Sequence, residues 1–74
     1  MWTTGAILIK GKVYKYQVKH YVEGSQFGIE NGKISKLFVT REGEIVLTYE
    51  RGWDIRPVDE DSELCLAVLM KKYN

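Results

Sequence analysis

The sequence contains one cysteine, one histidine and one proline among its 74 residues, and each scarcity excludes a class of structure. Cys65 has no second cysteine for an internal disulfide, and one cysteine with one histidine is too few for a structural zinc site. No apolar stretch approaches the ~20 residues of a membrane span, and the first residues lack the pattern of a secretion signal. These absences predict a cytoplasmic protein without a metal, a cofactor or a membrane segment.

The composition that is present indicates a single small domain over residues 1–74. Hydrophobic residues make up 45% of the chain, which is too many for a disordered segment. A chain this short needs nearly all of them for its core, so little is left to line a deep catalytic cavity. The net charge is only +1, but residues 1–22 contain no acidic residue and hold a local basic ribbon of Lys10, Lys12, Lys15 and Lys19.

The amino-terminal third of the chain predicts a β-hairpin. Residues 3–9 and 12–22 are rich in β-branched and aromatic side chains, and Lys10-Gly11 between them suits a two-residue turn. This turn places Ile9 opposite Lys12. Strand alternation then predicts one buried face, made of Ile7, Ile9, Tyr14, Tyr16, Val18 and His20.

A second hairpin is predicted over residues 34–41 and 44–51, around a turn at Glu42-Gly43. A regular register pairs Thr40 with Ile45, Phe38 with Leu47, and Lys36 with Tyr49. The side chains then expected on one face are Ile34, Phe38, Ile45, Leu47 and Tyr49. Leu37, Val39 and Val46 fall on the other face, which is more apolar than a solvated face requires, so we predict a possible homodimer contact through these three residues.

The last fifteen residues predict an α-helix over about residues 59–73. Acidic residues cluster at its start and two lysines at its end, as the helix dipole favours. At 100° per residue, one apolar stripe forms from Cys65, Leu66, Leu69, Met70 and Tyr73. The expected fold is α+β: a four-stranded antiparallel sheet of two hairpins, with this one helix packed on one face.

The segment between sheet and helix, residues 49–57, holds the best candidate binding residues. Arg51 and Arg56 offer guanidinium groups for a phosphate or carboxylate, Trp53 offers a face for stacking, and Asp54 lies between them. The structural alternative is that Trp53 fills the end of the core, that Gly52 supplies a positive φ at a turn, and that Asp54 pairs with Arg51 or caps the following turn. Both interpretations are compatible with the sequence.

The segments FGIENGKISKL at residues 27–37 and YERGWDIRP at residues 49–57 resemble a small family of uncharacterised domains found in Firmicutes bacteria and their phages. RGWD at residues 51–54 is the most specific part of the resemblance, which covers most of the chain from residue 27 onward. The resemblance implies no catalytic residue. It implies the context of phage or prophage accessory proteins, which often bind host machinery or a host signalling molecule.

Two binding functions are therefore expected in preference to an enzyme. The first is a module that binds or inhibits a host protein, or captures a small anionic ligand, with an anti-defence role possible; its surface would combine Arg51, Trp53, Asp54 and Arg56 with Phe27, Asn31 and Lys33. The alternative is a nucleic-acid module that uses the basic ribbon, with Trp2 or Tyr21 stacking on bases. No nucleophile, base and orienting group can be assembled, because Cys65 lies on the apolar stripe and His20 is expected to be packed at the sheet margin.

Overall fold

The computed structural model describes residues 2–74, which form one five-stranded antiparallel sheet and one α-helix. The strands are β1 (Trp2–Ile9), β2 (Lys12–His20), β3 (Ile34–Arg41), β4 (Glu44–Glu50) and β5 (Trp53–Ile55), and they lie side by side in chain order. A short 3-10 helix, Ile29–Asn31, precedes β3, and helix α1 spans Glu60–Tyr73. The predicted α+β class with one carboxy-terminal helix is confirmed. The predicted strand number is wrong, because Trp53–Ile55 pairs with β4 as a fifth strand.

The first hairpin has the predicted register, with Ile9 opposite Lys12. Lys10 and Gly11 both have positive φ, 49° and 81°, as a tight turn between strongly twisted strands requires. On the predicted inner face, Ile9, Tyr14, Tyr16 and Val18 are buried, but the predicted burial of His20 is wrong, because His20 is exposed at the end of β2. Helix α1 covers this face, so the core lies between the helix and one side of the sheet.

The second hairpin departs from the predicted register because β4 contains a β-bulge. Thr40 pairs with Ile45 as expected, but Val39 pairs with Leu47, so Val46 is an extra residue. A shift of one residue reverses the faces of a strand pair. The predicted pairs of Phe38 with Leu47 and of Lys36 with Tyr49 are therefore wrong.

The bulge also corrects the predicted outer surface. Leu37 and Val39 have no exposed area and belong to the core, whereas Phe38 and Ile45, which were predicted on the core face, lie on the opposite face of the sheet. Val46 is half-buried and packs against the core. The predicted placement of Leu37, Val39 and Val46 on an exposed face is therefore wrong, and Leu37 and Val39 offer no exposed surface.

Helix α1 is fixed to the sheet at both ends. At its start, the carboxylate of Asp59 accepts a hydrogen bond from the backbone N–H of Ser62 (2.7 Å) and one from Arg41 of β3 (3.0 Å). At its end, Asn74 Oδ1 accepts from the backbone N–H of Ile34 (2.9 Å), and Asn74 Nδ2 donates to the carbonyl of Ile29 (3.0 Å). The predicted stripe packs on the core between these anchors, with Cys65 and Leu69 buried and Leu66, Met70 and Tyr73 half-buried.

Because Asp59 caps helix α1 through its carboxylate, we expect the stability of the protein to depend on pH. Hydrogen bonds from Ser62 and then the contact with Arg41 hold the pKa of Asp59 below its ordinary value of 3.8. Because this pKa is lowered in the folded protein, ionised Asp59 stabilises the fold at pH values above the ordinary pKa. The stabilisation is lost as the pH falls through the native-state pKa. Asp59→Asn keeps a capping oxygen but removes the charge. We expect the wild type to melt above the variant at neutral pH and the difference to shrink below about pH 4. Circular dichroism melts measure this; a constant difference down to pH 2 would contradict it.

Candidate functional site

The two predicted binding segments meet at one end of the sheet, and Tyr49 joins them. The Tyr49 hydroxyl donates a hydrogen bond to the backbone carbonyl of Phe27 (3.0 Å). The ring of Tyr49 packs edge-on against that of Trp53, with centroids 5.2 Å apart. Phe27 is half exposed and Trp53 is half-buried. We call the stacked pair of Trp53 and Arg56, together with Phe27, which Tyr49 links to Trp53, the edge cluster.

In the edge cluster, Arg56 carries the charge. Its guanidinium carbon lies 5.4 Å from the centroid of the Trp53 ring, a cation–π geometry, and the residue is exposed. No ion pair to Arg56 occurs among residues 2–74. The guanidinium group is thus held over an aromatic ring while its N–H groups are available to an anion.

Part of the RGWD segment, residues 51–54, has a structural role in the turn between β4 and β5. Arg51 has a positive φ of 59°, whereas Gly52 does not, so the expectation that Gly52 supplies the left-handed residue is wrong. The backbone N–H of Arg51 donates to the carbonyl of Ser35 (3.0 Å), which ties the turn to β3. Arg51 and Asp54 are both exposed, and across the described part of the chain they form no ion pair with each other.

The other predicted residues of this site lie in the loop before β3. Asn31 is exposed with a φ of 59°, and Lys33 is exposed while its carbonyl accepts a hydrogen bond from the N–H of Tyr21 (2.7 Å). These contacts hold the loop backbone in place. Phe27 of this loop is linked to Trp53 through Tyr49.

A second surface is the side of the sheet away from helix α1, which we call the open face; the sequence indicated its Trp2, Lys15 and Lys19 but not its Phe38. Trp2 stacks on Phe38 there, with ring centroids 5.8 Å apart and planes inclined by 30°. Beside the pair is a shallow cleft of about 540 Å³. Its lining includes Thr4, Ala6, Lys15, Gln17, Phe38 and Thr40.

The four lysines of the predicted basic ribbon do not share one environment. Lys10 pairs with Asp61 of the helix at 3.0 Å, and this contact raises the pKa of Lys10; Lys12 lies 3.7 Å from Glu42. Lys15 and Lys19 form no ion pair within residues 2–74. They alternate with the core residues of β2 and therefore lie on the open face.

The two side chains that the sequence offered as possible catalytic groups, Cys65 and His20, lie in different surroundings. Cys65 is fully buried, and burial raises the pKa of its thiol to about 11, which keeps it protonated at neutral pH. His20 is exposed, and its ring packs against that of Tyr73 at 5.4 Å. Residues 2–74 contain no group of three or more His, Cys, Asp or Glu side chains that could hold a metal ion. Within the same residues, α1 is too short and too polar to cross a membrane, and no other α-helix is present.

Comparison with known proteins identifies a family whose function is unknown. The model of a domain of unknown function, DUF7678, matches residues 1–74. No curated protein and no solved structure matches the chain. The expected kinship with an uncharacterised domain family is supported, and the functional argument rests on the two surfaces described above.

Proposed function

Because the chain belongs to the DUF7678 domain family, we propose its role from its own surfaces: a small, non-enzymatic binding module of a phage or prophage accessory type, acting in the cytoplasm. Its edge cluster binds an anionic group, either on a host protein or on a small ligand such as a host signalling molecule. An anti-defence role follows if that host partner belongs to a defence system. The resemblance of residues 27–37 and 49–57 to Firmicutes and phage domains supports the setting.

The stacked pair of Arg56 and Trp53 is the observation that carries this proposal. An arginine over a tryptophan face presents planar N–H donors that match a carboxylate or phosphate, and the ring restricts the orientation of the side chain. Phe27, whose carbonyl is bonded to Tyr49, adds an exposed apolar side chain to this end of the sheet. Aromatic residues and arginine are the side chains that most often dominate binding energy at protein surfaces.

A nuclear magnetic resonance titration tests the edge cluster. The probes are inorganic phosphate, a panel of nucleotides that includes a cyclic dinucleotide, and a glutamate-rich peptide. We expect one probe class to shift the Trp53 indole and Arg56 side-chain signals, and Arg56→Ala to abolish those shifts. Because Arg56 is exposed, this substitution should change the free energy of unfolding by less than about 0.5 kcal/mol.

Lys72→Ala provides the matched control, since the Lys72 ammonium also lies over an aromatic ring, 5.5 Å from the centroid of Tyr73. It should leave the titration unchanged. Trp53→Ala should cost about 2 kcal/mol of stability, less than a fully buried tryptophan, because Trp53 is only partly buried against the core. If Arg56→Ala lowers stability as much as Trp53→Ala and no probe shifts these signals, the segment is a structural plug and the proposal fails.

A nucleic-acid module is the second candidate function. The altered register of the second hairpin favours it, because Phe38 joins Trp2 on the same face as Lys15 and Lys19. Lys10 and Lys12, which the sequence suggested as further contacts, are already paired with carboxylates.

A further inference from the structure

The open face has an ordered arrangement of side chains in rows across the strands. The first row pairs Trp2 with Lys19, and Lys19 with Lys36. The next row consists of Thr4, Gln17 and Phe38, and the third of Ala6, Lys15 and Thr40. Phe38 therefore lies in a polar row between two rows that each carry lysine.

The aromatic pair spans three strands. Trp2 is on β1 and Phe38 on β3, so the stacked contact at 5.8 Å crosses over β2. Trp2 is 45% exposed although its ring is packed against Phe38. A half-exposed indole on a solvent-facing sheet is a surface on which a nucleic-acid base can stack.

The charge of the open face is positive. Lys15 and Lys19 lack a carboxylate partner within residues 2–74, and only Lys36 is paired, with Glu50 at 3.4 Å. Lys15 and Lys19 are four residues apart on β2, which corresponds to about 13 Å along the strand. The two ammonium groups therefore flank the row that contains Phe38.

This charge pattern argues against a second copy of the chain on the open face. In a two-fold contact the same patch meets itself, so the unpaired lysines of one copy would lie close to those of the other. Like charges at an interface core are costly when they are desolvated. A polyanion with aromatic groups complements both the lysines and the exposed rings.

We propose that the open face binds single-stranded nucleic acid, with Trp2 and Phe38 stacking on bases and Lys15 and Lys19 contacting the phosphates on either side. Thr4, Gln17 and Thr40 line the cleft and supply hydrogen-bonding groups for base edges. This inference rests on the second candidate function. It does not depend on the edge cluster, which lies on the end of the sheet where the loop before β3 meets β5.

Fluorescence anisotropy with labelled single-stranded DNA and RNA of about twelve nucleotides tests the proposal. We expect binding at 50 mM salt that weakens steeply as salt is added, because two or three lysines neutralise phosphates. The slope of log K against log salt should lie between about −1.4 and −2.1. A DNA duplex of the same length should bind more weakly, since its bases are not available for stacking.

Two variants identify the surface. Lys15→Gln/Lys19→Gln should weaken binding at least roughly tenfold at 50 mM salt and reduce the slope by about 1.4. Lys71→Gln/Lys72→Gln removes the same charge from the last turn of the helix and should bind as the wild type does. Trp2→Ala should weaken binding about 5- to 100-fold with little change in slope, since it removes stacking and no charge. Circular dichroism checks that each variant is folded.

Equal loss in the two lysine pairs would overturn the proposal, because it would show attraction by overall charge. Absence of binding at 50 mM salt would do so as well. Sedimentation equilibrium provides a further outcome: a wild-type dimer that Trp2→Ala dissociates would assign the open face to a second copy. None of these results would affect the edge cluster, which the titration of Trp53 and Arg56 tests separately.

Discussion

Replacing Val39 with glutamate is expected to leave the protein unfolded in the absence of a stabilising ligand. Val39 has no exposed area and packs in the core between the sheet and helix α1. Burial of an unpaired carboxylate costs several kcal/mol even after the group is protonated. A domain of this size has only about 3–5 kcal/mol of stability in total. The substitution therefore removes most or all of it.

Leu8→Glu is the matched control for Val39→Glu, because Leu8 is 69% exposed on the open face. It should keep the far-ultraviolet circular dichroism of the wild type and a cooperative melt. Val39→Ala supplies a milder test in which the protein still folds, with an expected loss of about 2 kcal/mol by urea denaturation. A folded Val39→Glu protein would contradict the bulged register and restore the outer placement of Val39.

The register of the first hairpin could be predicted because one local feature determines it, although its second strand ends at His20 and not at residue 22. A two-residue turn at Lys10-Gly11 fixes the register of β1 and β2, and every later pair follows by counting. The inner face then follows from alternation, and Tyr14, Tyr16 and Val18 are buried as expected. A local periodicity, 100° per residue, likewise predicts the apolar stripe of the helix correctly.

The second hairpin could not be predicted in this way, although its turn and its first pair were correct. The bulge at Val46 inserts one residue, and nothing in the alternation of residues 44–51 distinguishes it from a regular strand. A second irregularity occurs at Ser35, where His20 pairs with Ile34 and Lys19 with Lys36. It allows Ile34 and Leu37 to be buried together despite their odd spacing.

These irregularities decide how much of the candidate surfaces the sequence could reveal. Arg56 and Trp53 could be identified as candidate binding residues because their chemistry is evident from residue type. Strand β5, to which Trp53 belongs, was missed because it has only three residues. The stacking of Trp2 on Phe38 was hidden, since a regular register places Phe38 in the core. The sequence signal for this placement of Phe38 is the excess of apolar residues on both predicted faces of residues 34–51. A bulge changes which of these residues face the core, whereas a regular strand leaves apolar residues on both faces.

A bulky side chain at position 5 is the second change expected to have a large effect, because Tyr16 packs directly over Gly5. The two residues are paired on β1 and β2, and a Cβ atom built on Gly5 would overlap the ring and hydroxyl of Tyr16. That hydroxyl is within 3.0 Å of the Tyr73 hydroxyl, and the hydrogen bond, together with burial, raises the pKa of Tyr16 to about 12. A side chain at position 5 would displace the ring that links the sheet to the end of the helix.

We therefore expect Gly5→Val to destabilise the protein by about 2–4 kcal/mol, as the sum of overpacking and loss of the hydrogen bond to Tyr73. Ala6→Val is the control, because Ala6 is exposed on the open face and valine favours strands. Urea denaturation of Gly5→Val, Tyr16→Ala and the double variant measures the coupling between the two positions. In the double variant the valine occupies space that the tyrosine has left, so its cost should be smaller than the sum of the single costs. Additive costs would show that glycine is needed at position 5 for its backbone and not for the ring that lies across it.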